Sequence, residues 1–332
     1  MKRLFTIILG AFVSFGFVTS YEIANQALEA ATAEELEIAD ENTPASTLFV
    51  SEFTDVQEGN YHYIPIIDLA MKGTIKGYSD GSFEPYEPIN RAEALKIILE
   101  TFSEEDLESF DNEGKRPFQD VPLDAWHSQY ITAAQQLEVV TGYDDGTFRP
   151  WEPINLAEAL KLIMKAMPRY YPVPATEDPF ADVAVDDWYA NYVNYAKSRE
   201  MVHIPDSNKI RPAQIMTRGY FAEIIYRLKK FGEGYNFGRA TFYGAALHGN
   251  TTASGKVFDM YEMTAAHKEL PFGTIVEVTN IANGKSVQVE ITDRGPYGHG
   301  RVIDLSSGAF EVIASLGTGV LTIQYDIISQ TE

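Results

Sequence analysis

Apolar residues recur at the spacing of an amphipathic helix in three stretches of the first two thirds of the chain. Each stretch places four apolar side chains at the i, i+3, i+4 and i+7 positions of one helical face. These residues are Leu95, Ile98, Leu99 and Phe102, then Leu160, Ile163, Met164 and Met167, then Phe221, Ile224, Ile225 and Leu228. Such faces must be buried, so the pattern predicts a bundle of helices packed on one another.

The three helices belong to an internal repeat. The motif Phe-X-Asp-Val opens each unit, at Phe53, Phe118 and Phe180. An Asp-Gly turn follows at 77–85 and 142–150, where glycine supplies a positive φ and proline ends the extended segment. These turns lack the oxygen ligands and closing Glu of a calcium loop, so a simple turn is the favoured interpretation.

Polar residues mark where the second helix of the first two units begins. Asn90 with Glu93, and Asn155 with Glu158, have the spacing of a capping box, in which each partner satisfies a backbone N–H of the other. We therefore expect helices to start directly after Asn90 and Asn155.

Beyond residue 236 the period changes from helical to strand-like. Alternation predicts strands at 238–243, 274–280, 286–291 and 320–327, and a helix at 306–315. Asn283-Gly284 is typical of a hairpin turn. A small closed barrel of about six strands fits the pattern and leaves no long exposed edge.

These patterns divide the chain into segments. Lys2-Arg3, an apolar run and small residues before Tyr21 indicate an export signal cleaved after Ser20, with an uncleaved anchor as the less favoured alternative. The predicted segments are a signal peptide at 1–20, an acidic linker at 21–50, repeats at 51–102, 118–167 and 180–230, an acidic insert at 103–117, and the barrel at 237–330. No membrane span is expected after signal cleavage.

Charge and cysteine content limit the classes of ligand that the protein is expected to bind. The net charge is −22, and most of it precedes the barrel, which disfavours nucleic acid and anionic lipid as ligands. The chain has no cysteine, which excludes disulfides and thiolate metal sites. The histidines are too loosely spaced to indicate a metal cluster, so we expect no metal and no cofactor.

The most informative stretch is Thr292-Asp293-Arg294-Gly295-Pro296, which follows a predicted strand. A carboxylate at the end of a strand, before a tight Gly-Pro turn, is held by rigid backbone and can still face a groove. Asp293 is therefore the principal candidate for chemistry.

The motifs around Asp293 resemble the double-psi β-barrel of the rare lipoprotein A family. They are Ala240-Thr241-Phe242-Tyr243-Gly244, His248-Gly249, Thr252-Ala253-Ser254-Gly255, Thr264-Ala265-Ala266-His267 and Leu270-Pro271-Phe272-Gly273-Thr274. Some members of that family are lytic transglycosylases of peptidoglycan, and others only bind glycan. The resemblance implies catalytic roles for Asp293, Asp259 and His267. It implies glycan contacts from Tyr243, His248, Lys256, Arg294, His299 and Asp304.

A lytic transglycosylase needs one acid that protonates the glycosidic oxygen and then, as a base, deprotonates the C6 hydroxyl of muramic acid. Asp293 can do this only if its pKa is raised, by a low-dielectric wall or by Asp259 or Asp304 nearby. The structural alternatives are that Asp293 caps the next turn or pairs with Arg294 or Arg301. Asp304 can likewise cap the helix that follows it.

Three further site residues have competing interpretations. His267 is either a core histidine or a site residue, and Tyr243 either packs in the core or stacks on a sugar. Lys256 stands where competent relatives carry Glu, and an ammonium beside Asp293 is expected to lower its pKa.

The repeats resemble S-layer homology modules, which dock exported proteins onto secondary cell-wall polysaccharide. In that family the segment after the turn carries an arginine that contacts the polymer. Here the matching positions are Arg91, Leu156 and Arg218. The resemblance therefore implies wall contacts from Arg91 and Arg218, the loss of one groove at Leu156, and a changed third turn that lacks both glycines. The alternative for each arginine, at the start of an amphipathic helix, is a solvated or ion-paired structural role.

Together these observations predict a multidomain protein, with an all-α bundle of S-layer homology repeats followed by a six-stranded double-psi β-barrel. Three hypotheses remain. The chain is a secreted, wall-anchored lytic transglycosylase, or a non-catalytic peptidoglycan-binding or expansin-like wall-loosening protein, or a structural component of the cell surface. The expected partners are peptidoglycan and secondary cell-wall polysaccharide.

Overall fold

A computed structural model describes residues 53–103, 106–111, 113–167, 174–203, 207–298 and 300–330. The predicted signal peptide, the linker at 21–50 and His299 lie outside the described residues. Within the described ranges, no helix combines the length and apolar character that crossing a membrane requires.

Each repeat consists of two helices joined by an extended turn. The helices are α1 (Tyr63–Met71), α2 (Arg91–Phe102), α3 (Ser128–Gln136), α4 (Leu156–Ala166), α5 (Ala190–Ser198) and α6 (Arg218–Gly232). Both predicted capping boxes are confirmed, at the starts of α2 and α4. The predicted apolar faces are buried, except that Phe102 and Met167 are half-buried against the same core. The acidic insert contains a short 3-10 helix, Leu107–Ser109.

The aspartate of each Phe-X-Asp-Val motif fastens the turn of its own repeat. Asp120 accepts the backbone N–H groups of Phe148 and Arg149 at 2.8 and 2.7 Å, one on each carboxylate oxygen. The same pair of bonds recurs at Asp55 with Phe83 and Glu84, and at Asp182 with Ile210 and Arg211. The repeated acid is therefore a clamp between the start of the repeat and its turn.

The repeats are joined in a ring by backbone hydrogen bonds. The first residue of each second helix donates its N–H to a carbonyl in the turn of the next repeat. These bonds run from Arg91 to Glu152, from Leu156 to Gln214 and from Arg218 to Glu87, at 2.9, 3.0 and 2.9 Å. Isolated β-bridges accompany each junction, so the bundle is helical with short extended contacts between its units.

The C-terminal domain is a closed barrel of six strands in the order β1-β5-β2-β4-β3-β6. The strands are β1 (Asn236–Tyr243), β2 (Thr264–His267), β3 (Ile275–Asn280), β4 (Ser286–Asp293), β5 (Arg301–Ser306) and β6 (Leu321–Ser329), with α7 (Ser307–Ile313) after β5. The pairs β1–β5 and β2–β4 are parallel, and the others are antiparallel. The residues predicted as strands and as a helix fall within β1, β3, β4, β6 and α7, give or take two residues at the ends.

Alternation did not identify β2 and β5. The four residues of β2 are too few to display a period, and in β5 the adjacent apolar residues Val302 and Ile303 break the alternation. Both strands place apolar side chains, among them Ala265, Ile303 and Leu305, in the barrel core. Their intervening residues point to the outer face, where the candidate site lies.

We expect the aspartate clamps to be a major source of bundle stability. Replacing Asp120 with Ala leaves two N–H groups without their charged acceptor, and should lower the free energy of unfolding by about 2–3 kcal/mol. Urea unfolding of the full chain measures this loss. The exposed Asp124→Ala is the control, and an equal, small effect of both substitutions would contradict the clamp.

Candidate active site

Two aspartates share a row on the outer face of the barrel. In β2, Ala266 is opposite Asp293 of β4 on one side and opposite Asp304 of β5 on the other. A register shift between Ala265 and Ala266 brings Asp293 into this row. With adjacent strands about 4.8 Å apart, the two aspartate backbones lie about 10 Å apart across a methyl side chain.

Backbone groups fix one oxygen of Asp293. Its Oδ1 accepts the N–H of Ala253 at 2.9 Å and the N–H of Arg294 at 2.8 Å. The N–H of Ser254 bonds to the carbonyl of Thr292 at 3.1 Å, so the 252–256 turn is fastened to the end of β4. Gly255 has φ +87°, which a side chain rarely adopts. Among the described residues, Oδ2 receives no hydrogen bond, so this oxygen is the one that can carry and transfer a proton.

Lys256 has a partner that the sequence did not indicate. Its Nζ lies 2.6 and 2.8 Å from the two carboxylate oxygens of Glu290, three residues before Asp293 on β4. The ammonium is thereby neutralised locally. The pair ties the far end of the 252–256 turn to the same strand that carries Asp293. Lys256 therefore helps position the turn, and the expected free cation beside Asp293 is not observed.

Asp304 is not a helix cap. The cap of α7 is Ser306, whose hydroxyl accepts the N–H of Ala309 at 3.1 Å. In the part of the chain that the structure describes, Oδ1 of Asp304 is buried without a hydrogen-bond partner. Burial raises the pKa of Asp304, and the nearby Arg301 opposes the rise. An acid with an unsatisfied buried oxygen and a raised pKa is typical of a functional carboxyl group.

Tyr243 is influenced electrostatically by both acids. Burial raises its pKa to about 12, with contributions from the negative charges of Asp293 and Asp304 and opposition from the hydroxyls of Thr264 and Thr292. Its ring centroid lies 4.4 Å from that of Phe258, which covers part of one face. The phenol therefore feels the charge of both carboxylates, and its ring is packed on protein.

His267 projects to the other face of β2. It is opposite Ile303 of the barrel core, and its ring centroid lies 6.2 Å from that of Tyr325. Its Nδ1 accepts the N–H groups of Glu269 and Leu270, which leaves the proton on Nε2. Burial lowers its pKa, while Glu269 opposes this and Arg294 and Lys268 add to it. The structure does not bring His267 into the row of aspartates.

His248 and Asp259 lie together in the loop that crosses the outer face. Nδ1 of His248 is 3.6 Å from Oδ1 of Asp259 and accepts the N–H of Met260 at 3.2 Å. Asp259 accepts the N–H of Tyr261 at 2.9 Å. Both side chains are nearly half exposed. Their hydrogen bonds are within this loop, so they shape it and face solvent.

Arg294 turns away from the carboxylate of its neighbour. Its guanidinium lies 3.8 Å from the ring centroid of Phe272 and donates to the carbonyl of His267 at 3.2 Å. It therefore braces the segment after β2. No cluster of three or more His, Asp or Glu side chains suited to a metal occurs among the residues whose structure is described.

The bundle contains two grooves built around arginine. In the first groove, of about 220 Å³, Arg218 lies over Tyr78 and Phe83 and donates to the carbonyl of Phe83 at 2.8 Å. Trp126 forms part of its wall. The arginine is 6% exposed, so most of its guanidinium is committed to the turn.

The second groove, of about 160 Å³, repeats this arrangement one unit along. Arg91 lies over Tyr143 and Phe148 and donates to the carbonyl of Phe148 at 3.1 Å, and Trp188 lines the wall. Leu156 occupies the third such position and is 1% exposed. The two arginines expected to contact polymer thus lie in equivalent grooves, and Leu156 supplies no charge to a third.

The Lys256–Glu290 pair should control how firmly the turn holds Asp293. Lys256→Glu sets two carboxylates together, so the Ala253 amide should exchange about two- to fivefold faster, as expected for loss of a surface ion pair. The reversed pair Lys256→Glu/Glu290→Lys should restore slow exchange. Hydrogen exchange resolved at Ala253 tests this, and a double variant as fast as the single one would contradict it.

Ionised Asp304 should lower the stability of the folded protein at neutral pH. Its pKa in the folded protein is above the ordinary value, so its ionised form destabilises the fold at neutral pH, and the loss is relieved as pH falls through that pKa. Asp304→Asn should therefore raise the melting temperature at neutral pH, with a gain that shrinks in acid. The control is Asp326→Asn on β6. A lower melting temperature of Asp304→Asn at neutral pH would exclude this explanation.

Known proteins match both halves of the chain. The model of a family described as lytic transglycolase matches residues 236–325, and that of the S-layer homology domain matches 52–95, 117–160 and 179–222. The endolytic peptidoglycan transglycosylase RlpA of Vibrio cholerae is 44% identical over 112 residues, which are 34% of this chain and 41% of that protein. A probable endolytic peptidoglycan transglycosylase RlpA of Synechocystis sp. is 52% identical over 91 residues, 27% of this chain and 28% of that protein.

The chain spans less than half of the length of these relatives. The solved Streptomyces papain inhibitor covers 29% of this chain and 94% of its own at 26% identity, with a TM-score of 0.25, too low to support a structural argument. The chain therefore carries three S-layer homology domains followed by a C-terminal domain of the lytic transglycolase family.

Proposed function

We propose that the protein is an exported, wall-anchored lytic transglycosylase that cuts peptidoglycan glycan strands with Asp293 as its acid and base. The observation that carries the proposal is the asymmetric hold on Asp293, with Oδ1 fixed by two backbone N–H groups and Oδ2 left unbonded in the described structure. Relatives over the barrel are named endolytic peptidoglycan transglycosylases, which supports the same reaction here.

The reaction needs a single proton carrier. Oδ2 of Asp293 donates its proton to the glycosidic oxygen as the bond to the anomeric carbon breaks. The resulting carboxylate then takes the proton of the muramic acid C6 hydroxyl, whose oxygen attacks the anomeric carbon and closes the 1,6-anhydro ring. Oδ1 stays on its two N–H donors throughout, so the geometry is preorganised.

Asp304 is assigned a supporting role. It shares the row with Asp293, and one of its oxygens is buried and unpaired among the described residues. An acid that protonates more readily than an exposed aspartate can donate a hydrogen bond to bound glycan. Tyr243 lies close to both acids and supplies a neutral hydroxyl to a sugar or to the carboxylates.

The bundle is proposed to anchor the enzyme at the cell wall. Arg91 and Arg218 lie at the base of grooves that also contain tryptophan and lysine side chains, a combination suited to an acidic saccharide. We assign secondary cell-wall polysaccharide to these grooves and peptidoglycan to the barrel. We also propose that the bundle is all-α and that the barrel has double-psi topology. The domains follow the predicted segment boundaries, and the protein is secreted.

A second candidate function has one specific observation in its favour. Lys256 replaces the Glu of competent relatives, so the same outer groove can hold glycan without cutting it, as a wall-binding or wall-loosening protein does. The ion pair with Glu290 weakens this alternative, because it holds Lys256 against β4 and fastens the turn that positions Asp293.

Purified sacculi distinguish the two functions. The mature protein should release 1,6-anhydromuropeptides, identified by mass spectrometry, and Asp293→Asn should lower their yield at least a hundredfold because the amide cannot transfer the proton. Asp326→Asn is the matched control. Binding of wild type without anhydro products would favour the non-catalytic function, and products that persist in Asp293→Asn would overturn the assignment of the acid.

A further inference from the structure

The ring of repeats has a third junction with the same framework as the two that form grooves, and we call it the third groove. Residues five and nine positions after the start of each second helix line the grooves. They are Lys96 and Glu100 in the first, Lys161 and Lys165 in the second, and Glu223 and Arg227 in the third. The correspondence extends to contacts, since Lys165 donates to the carbonyl of Glu138 at 2.9 Å and Arg227 to that of Glu200 at 3.0 Å.

The contents of the third groove are closed off from solvent. Glu223 is 0% exposed and Arg227 is 2% exposed, whereas the side chain of Lys96 is 33% exposed. Nε of Arg227 lies 2.8 Å from one oxygen of Glu223, and Nδ1 of His62 lies 2.9 Å from the other. A buried carboxylate of this kind persists only when it is paired on both sides. The third groove therefore differs from the others in that its charged pair is buried, whereas Lys96 and Lys161 are only half-buried.

The backbone has adapted to the closed groove. Gly219 follows Arg218 where the other repeats have Ala92 and Ala157. A Cβ on Gly219 would lie 2.6 Å from the His62 ring, which no real packing permits. Glycine at this position therefore lets His62 approach and pair with Glu223.

Barrel residues lie against this groove. Tyr61, at the position of Trp126 and Trp188, bonds through its hydroxyl to Thr322 of β6 at 2.5 Å. Phe237 at the start of β1 donates its N–H to Glu200 at 2.6 Å and is fully buried in the core of the bundle.

Two more contacts join the bundle to the barrel. The hydroxyl of Tyr226 donates to Gln324 at 2.6 Å. The guanidinium of Arg227 lies 5.4 Å from the ring centroid of Phe237, so the residue that closes the groove also packs on β1. The site that a saccharide would fill in an open groove is thus occupied by the same chain.

We propose that the third groove is permanently occupied by its contacts with the barrel, which we call the seat of the barrel. The chain then binds wall polymer through the first two grooves only. Leu156 then follows from the arrangement, because a groove occupied by protein has no use for a ligand-binding arginine. The barrel and its row of aspartates keep a fixed orientation relative to the two anchoring grooves. The number of polymer sites rests on the proposed function, while the seat does not.

A longer tether tests the seat. Because the chain has no cysteine, Asp124→Cys and Glu311→Cys accept nitroxide labels on exposed positions of the bundle and the barrel. Pulsed electron resonance should give one narrow distance, and a flexible insertion of six residues between Gly234 and Tyr235 should leave it narrow. Adding Tyr61→Ala and Glu200→Ala to the insertion should broaden it. A broad distribution with the insertion alone would overturn the seat.

Co-sedimentation with purified sacculi tests the number of polymer sites. Arg91→Lys and Arg218→Lys keep the charge but lose the forked geometry, so each should weaken binding about tenfold. The double variant should pellet no better than wild type does with sacculi stripped of secondary polysaccharide, which only the barrel can bind. Arg116→Lys is the control, and a narrow label distance verifies that each variant is folded. A double variant that binds like a single one would reveal a third site. A wild type that does not pellet would refute the anchoring function and leave the label experiment to decide the seat.

Discussion

The structure depends on a ring of backbone hydrogen bonds between the repeats. Each second helix starts by donating its first N–H to the turn of the next unit, so none of the three units is complete alone. The same junctions bring an arginine or leucine side chain onto the neighbouring turn and so create the grooves. Each groove forms at its own junction, so one groove can differ while the other two keep their structure. That independence allows one position to hold the barrel while two remain open.

Backbone hydrogen bonds also determine how Asp293 is oriented in the barrel. Asp293 owes its orientation to N–H groups of the 252–256 turn and of its own neighbour, and the turn is held by the main chain of Thr292 and by the Lys256–Glu290 pair. Asp304 is held by its strand alone and keeps an unpaired oxygen. Two acids two strands apart are therefore distinct in environment, which suits one proton carrier and one supporting carboxyl group.

Many of the helices and strands could be predicted from the sequence, because the signals that define them lie within a few residues of each other. Helical periodicity and capping boxes depend on residues within one turn of each other, so α2, α4 and α6 were predicted with their buried faces. Strands β2 and β5 were not predicted, because four residues show no period and because the adjacent apolar residues Val302 and Ile303 break the alternation in β5. The sequence also showed that Leu156 stands where the other two repeats carry arginine. The reason for it, a groove filled by Phe237 and Tyr61, joins residues far apart in the chain and required the fold. Glu290 was missed for the same reason, since only the barrel brings it to Lys256.

The central claim is that a C6 hydroxyl, rather than water, attacks the anomeric carbon after Asp293 protonates the leaving oxygen. Digestion of purified sacculi in water enriched in oxygen-18, followed by mass spectrometry of the released muropeptides, tests it most directly. The claim predicts 1,6-anhydro ends that carry no heavy oxygen. Reducing muramic acid ends labelled with oxygen-18 would contradict it, because they would show that solvent, and therefore hydrolysis, completes the reaction.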